Sequence, residues 1–87
     1  LELGLANRVV ADDELAGEAA ALATRLAAGP TAAFGAIRRS VAHSAGVGFA
    51  EALAFEADMM ALTGSTQDHR DAVAAFVAKQ RPTFTGR

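Results

Sequence analysis

The chain has 87 residues, room for one domain and no more, and a domain of that size buries only roughly 60% of the surface its unfolded form exposes. A net charge of −2 and five Phe without Tyr or Trp exclude a general nucleic-acid binder, which needs a basic footprint and stacking aromatics. The lack of cysteine excludes disulfides and thiolate metal sites, and no apolar run approaches the ~20 residues of a membrane span.

About a quarter of the residues are alanine, the strongest helix former, and 52% are hydrophobic, so a helical domain is expected. The chain opens on LELGLANRVV, without a Met and without the basic start and long apolar core of a signal peptide. It therefore reads as part of a longer protein. Residues 1–10 are apolar but broken by Gly4 and Asn7, an irregular segment in which Arg8-Val9-Val10 has the composition of a strand end.

Asp12, Asp13 and Glu14 then place three carboxylates where a helix dipole favours them, with Asp12 as the expected N-cap. The first helix is predicted over about 13–28, with Leu15, Ala19, Leu22 and Leu26 as its stripe. Gly29-Pro30 ends it and opens a second helix over about 30–44, Pro30 suiting the first helical position. There Phe34, Ile37 and Val41 form the expected inner stripe. Ala45-Gly46-Val47-Gly48 breaks the chain again. It lacks the third glycine and the lysine of a phosphate loop, so a helix-breaking turn is the reading.

The third predicted helix, about 48–62, carries Phe49, Leu53, Phe55, Met59, Met60 and Leu62 with only Glu51, Glu56 and Asp58 polar. A helix apolar on nearly all sides needs cover on nearly all sides. One small domain does not supply that cover, so self-association or the remainder of a larger protein is implied. Glu56 has two open placements: an ion pair with Arg38 or Arg39 across the hairpin of the second and third helices, or the edge of the stripe facing water.

Ser65 and Asp68 imitate a capping box at the head of a fourth helix over about 66–80, with Val73, Phe76 and Val77 expected inward and Asp68, Arg70 and Asp71 on a solvated first turn. Pro82 prevents continuation. His43 and His69 sit on different helices without metal-ligand spacing and read as surface residues. Ser40 and Ser44 belong to no Ser-His-Asp arrangement. The basic cluster Lys79, Gln80, Arg81 either complements the helix dipole or contacts a phosphate.

The ordered combination of these segments resembles the enoyl-CoA hydratase/isomerase, or crotonase, superfamily along nearly the full chain. GLANRVV resembles its GLVNxVV segment. Asp12-Asp13-Glu14-Leu15, Gly29-Pro30, Arg38-Arg39, Leu53, Glu56, Thr66 and Asp68 follow in the family's order. Val73, Ala75-Phe76, Lys79, Arg81-Pro82, Phe84 and Gly86 then match its closing run. Two departures are Asp71-Ala72 where Glu-Gly is usual and Lys79-Gln80-Arg81 where Lys-Arg is usual.

The resemblance implies an all-α fold of about four helices, the C-terminal helical oligomerisation domain of a crotonase-like protein (12–87), after the end of a core segment (1–11). It implies a parent enzyme, cytoplasmic and trimeric or hexameric, that acts on a coenzyme A thioester with no covalently bound cofactor. It places the oxyanion hole and the proton-transferring carboxylates outside this chain, so no catalytic or metal-binding residue is assigned here. It carries over Phe76 and Lys79 as residues bordering CoA. A stand-alone helical protein-protein interaction module is the competing reading of the same residues; neither reading calls for a nucleic-acid or membrane partner.

Overall fold

The computed structural model describes residues 2–87; Leu1, part of the predicted opening segment, lies outside them. Among the described residues the regular structure is four helices: α1 Leu15–Ala27, α2 Thr31–Ser44, α3 Phe49–Gly64 and α4 Gln67–Val77. Residues 2–14 form turns and bends with no strand, so Arg8-Val9-Val10 is irregular in this chain. A strand needs a second extended segment to hydrogen-bond with, and among the described residues none pairs with it. Arg8 instead pairs with Glu18 and ties the opening segment to α1.

The helix boundaries follow local chemistry with three shifts. The helix start expected at Asp12 moves to Glu14, which holds the N-cap position and makes no side-chain cap bond. Its carboxylate reaches back to the Ala11 N–H at 3.4 Å, a long contact, and Asp12 and Asp13 occupy the preceding turn. Pro30, predicted as the first helical residue, is instead the N-cap of α2, which begins one residue later at Thr31. The expected Ser65 cap also moves by one. Ser65 keeps helical dihedrals at the end of α3, and its hydroxyl donates to the Leu62 carbonyl at 2.7 Å. Thr66 has the extended backbone that a cap requires, and its hydroxyl accepts the His69 N–H at 3.1 Å.

Packing is concentrated between α2 and α3, with a lighter contact from α3 to α4. The surfaces that meet are small. Ala33, Ala36, Ser40 and His43 on α2 face Ala52, Phe55, Met59 and Thr63 on α3, and Ala36, 4% exposed, is the one buried hydrophobic among the described residues. Small side chains let two helix axes approach closely, which selects this face for the pairing. The predicted inner stripe of α2 is thereby turned away from α3: Ile37 and Val41 are exposed, and Phe34, partly exposed, lays its ring over Gly29. Leu15, Leu22 and Leu26 of α1 and Phe49, Leu53, Met60 and Leu62 of α3 are likewise uncovered within the chain.

The result is a layer of 42 × 39 × 19 Å. Its radius of gyration is 16.5 Å, against about 12 Å for a compact domain of this length. Residues 80–87 have no regular structure and return along α4 toward its start, carrying half-buried Phe84 to a cavity of about 240 Å³ lined also by Pro30, Ala33, Thr63 and Ala72.

The cap assignment yields the first prediction. Thr66→Ala should lower unfolding free energy by about 1 kcal/mol in urea denaturation, whereas Ser65→Ala, at an exposed helix end, should change it by less than about 0.5 kcal/mol.

Candidate functional site

The end of α4 carries both residues singled out in the sequence. The helix stops three residues before the predicted Gln80 because Lys79 turns into the left-handed region, at φ 55°. Its N–H donates to the Phe76 carbonyl at 3.1 Å, and the Gln80 N–H donates to the Ala75 carbonyl at 2.8 Å. That bond pair is a Schellman end, normally built on glycine. A lysine there carries roughly 1–2 kcal/mol of backbone strain.

Phe76, one turn earlier, is 84% exposed, and Val73 and Val77 beside it are exposed as well. The expectation that these three face inward is corrected. The inner face of α4 is Asp68, Ala72 and Ala75, spaced four and three residues apart, against which α3 and the returning tail lie. Periodicity marks where a stripe lies on a helix; it does not choose between two stripes when one is large and the other is alanine.

Lys79 and Arg81 are exposed. The ion pairs among the described residues are Arg8–Glu18 and His43–Glu51, and neither includes Lys79 or Arg81. Between α4 and the tail lies a cleft of about 360 Å³ lined by Asp71, Ala74, Ala78, Gln80, Arg81 and Pro82, among others.

Asp68 departs most from the sequence reading. Expected on a solvated turn, it is 3% exposed. One carboxylate oxygen accepts the Thr85 N–H at 2.7 Å and the Thr85 hydroxyl at 3.1 Å. The other oxygen accepts the Gly86 N–H at 2.8 Å, and the Asp68 N–H donates to the Arg87 carbonyl at 2.8 Å. The Thr85 N–H, followed by the other donors, holds the carboxyl below its ordinary pKa of 3.8, against the opposing effect of burial. Gly86 has φ 80°, and a Cβ there would lie 2.8 Å from the Thr31 hydroxyl, so the tail also abuts the start of α2 at a place only glycine fits. These contacts span 17 and 18 residues, and no local pattern signals them.

The remaining candidates resolve individually. His43 is half-buried: its ring stacks on Phe55 with centroids 4.2 Å apart, and its Nε2 lies 3.8 Å from Glu51. His69 is exposed, as expected. Glu56 is exposed and pairs with neither Arg38 nor Arg39, so it takes the edge placement. Ser40 sits in the α2–α3 contact, and the Ser44 hydroxyl donates to the Val41 carbonyl at 3.0 Å. Gly46 and Gly48 form the turn between α2 and α3. Among the described residues no three His, Cys, Asp or Glu side chains gather as a metal site, and no helix is long and apolar enough to cross a membrane.

Comparison with known proteins places this arrangement. The sequence profile of the enoyl-CoA hydratase/isomerase family matches residues 1–87. The 1,2-epoxyphenylacetyl-CoA isomerase of Escherichia coli is 37% identical over 86 residues, 99% of this chain and 33% of that protein. In three dimensions, an enoyl-CoA hydratase/isomerase of Mycobacterium abscessus superposes with a TM-score of 0.92 at 39% identity, over 97% of this chain and 32% of its own. An enoyl-CoA hydratase subunit of Geobacillus kaustophilus also reaches 0.92, at 34% identity and 99% and 34% coverage. The chain belongs to the enoyl-CoA hydratase/isomerase family. It spans about a third of the length of the relatives it matches, and its four helices are a helical part of the crotonase fold.

Two predictions follow from the ends of α4. Asp68 is more acidic folded than unfolded, so its bonds stabilise the fold above its ordinary pKa and are lost as pH falls through the depressed folded value. The difference in melting temperature between the wild type and Asp68→Asn should therefore be full from pH 7 to 5 and close below about pH 4. At the other end, Lys79→Gly should raise stability by about 1 kcal/mol, measured in urea, by relieving the left-handed backbone.

Proposed function

We propose that this chain is the C-terminal helical part of an acyl-CoA-processing enzyme, a hydratase or isomerase acting on an enoyl-CoA or a related thioester in the cytoplasm. In this reading Phe76 and Lys79 border the CoA site, and the oxyanion hole and proton-transferring carboxylates come from the protein's core, outside these residues. The observation that carries it is the strained Lys79 directly beside the uncovered Phe76. Left-handed non-glycine residues persist where the surrounding structure enforces them, and they gather at ligand-binding positions. An aromatic face one turn from a projecting ammonium suits a ligand that joins a planar base to phosphates, as CoA does.

The outward apolar faces of α1, α2 and α3 belong to the same reading. Phe49 is 83% exposed, and Ile37, Val41, Leu53 and Met60 are uncovered around the α2–α3 hairpin. Exposed apolar patches of this extent mark interaction surfaces. In the intact enzyme they pack against its core and against neighbouring copies, so the helical layer supplies oligomer contacts and no catalytic group.

The test is calorimetric binding of butyryl-CoA to the intact protein at low and high salt. Lys79→Ala should weaken binding about tenfold at low salt, the worth of one charge-assisted contact. The gap should narrow as salt screens the charge. An affinity unchanged at both salt concentrations would remove Lys79 from the CoA site.

A further inference from the structure

The two ends of α4 are mechanically joined by the tail. At one end Lys79 reverses the chain; at the other Asp68 holds Thr85 and Gly86. The rise from Asp68 to Lys79 is about 16 Å at 1.5 Å per residue, and the tail must also clear the helix surface, about 5 Å from the axis. The six residue steps from Lys79 to Thr85 reach at most ~20–22 Å. A strap of that length has only a few ångströms (~3–5 Å) of slack. If α4 continued for one more turn, about 5 Å would be added to the span while only ~10 Å of chain remained to cover it. The reversal must therefore fall at Lys79, although a lysine is a poor residue for it.

We infer that Asp68 is a positioning residue for the basic turn Lys79-Gln80-Arg81, acting through the tail rather than through any contact of its own with ligand. Its carboxylate accepts three hydrogen bonds from Thr85 and Gly86, and although Asp68 borders the cavity that holds Phe84, the residue is only 3% exposed. What it controls is where the strap ends. The left-handed Lys79 and the placement of Arg81 beside the α4 cleft follow from that end point. The role toward ligand rests on the reading of Lys79 as a phosphate contact; the mechanical coupling of the two ends does not.

The experiment has a structural arm and a binding arm on the intact protein. In the structural arm, amide exchange is followed at Thr85 and Gly86, which donate to Asp68, and at Gln80, which donates to Ala75. Asp68→Ala should accelerate exchange at all three. Asp68→Asn, which keeps one acceptor but turns the other into a donor, should give intermediate rates. Gly86→Pro removes a donor and the positive φ without altering α4, so it reads the same coupling should Asp68→Ala fail to fold.

In the binding arm, Asp68→Ala should weaken butyryl-CoA binding about as much as Lys79→Ala, near tenfold. It should also flatten the salt dependence, and the double variant should be no weaker than either single one, because both act on one contact. A general loss of stability would leave the salt slope and the additivity unchanged.

Undisturbed exchange at Gln80 after release of Thr85 and Gly86 would overturn the inference. So would lost protection at Gln80 with CoA affinity intact while Lys79→Ala still weakens it. If Lys79→Ala itself leaves affinity unchanged, the CoA reading and the ligand role of Asp68 fall together, and the exchange data alone judge the coupling.

Discussion

Three hydrogen bonds converge on the carboxylate of Asp68 from residues at the far end of the chain, and a fourth leaves its backbone N–H for Arg87. A carboxylate taken out of water is tolerated because two backbone N–H groups and the Thr85 hydroxyl replace solvent around it. Its effect reaches beyond the tail. With residues 84–86 secured, Phe84 is placed at the junction of α2, α3 and α4, and Gly86 meets Thr31 at the start of α2. The connection between α4 and the α2–α3 hairpin is otherwise light, so this polar joint does for the end of the chain what an apolar core does in a larger domain.

The second organising fact is the choice of faces. α2 meets α3 through alanine, serine and threonine with Phe55, Met59 and His43 between them, and α4 turns alanines inward. Large side chains are left outside: Phe34, Ile37 and Val41 on α2, Val73, Phe76 and Val77 on α4, leucines on α1. In a self-sufficient domain the reverse arrangement would bury far more apolar area. A thin layer with small residues within and large ones without is suited to lie between other surfaces. This is consistent with a chain that corresponds to about a third of the family members it matches.

Much of the architecture was legible in the residues. The breaks at Gly29-Pro30, at Ala45 to Gly48 and at Ser65 separate four helices close to where they lie, and Pro82 follows the last of them. Glycine, proline and cap chemistry act within a few residues, so local sequence carries them. The ordered motifs from GLANRVV to Gly86 carried the family as well. The errors share a cause. The Ser65 cap, the Asp12 cap and the inward stripes of α2 and α4 each required choosing between adjacent or opposite options that local chemistry rates almost equally. Thr66 displaced Ser65 because the backbone leaves the helix one residue later, and Asp68, no longer at the capping position, was available to the tail.

By itself the sequence determined the helical content, the number of elements, the turns between them and the family, because propensity, breakers and ordered motifs all lie along the chain. It also singled out Phe76 and Lys79. Only the tertiary structure decided that α4 ends at a strained lysine, that Phe76 faces outward and that Asp68 is buried. Those outcomes depend on which helix faces can approach closely and on the fixed reach of a short strap returning over α4, distances that residue order alone does not contain.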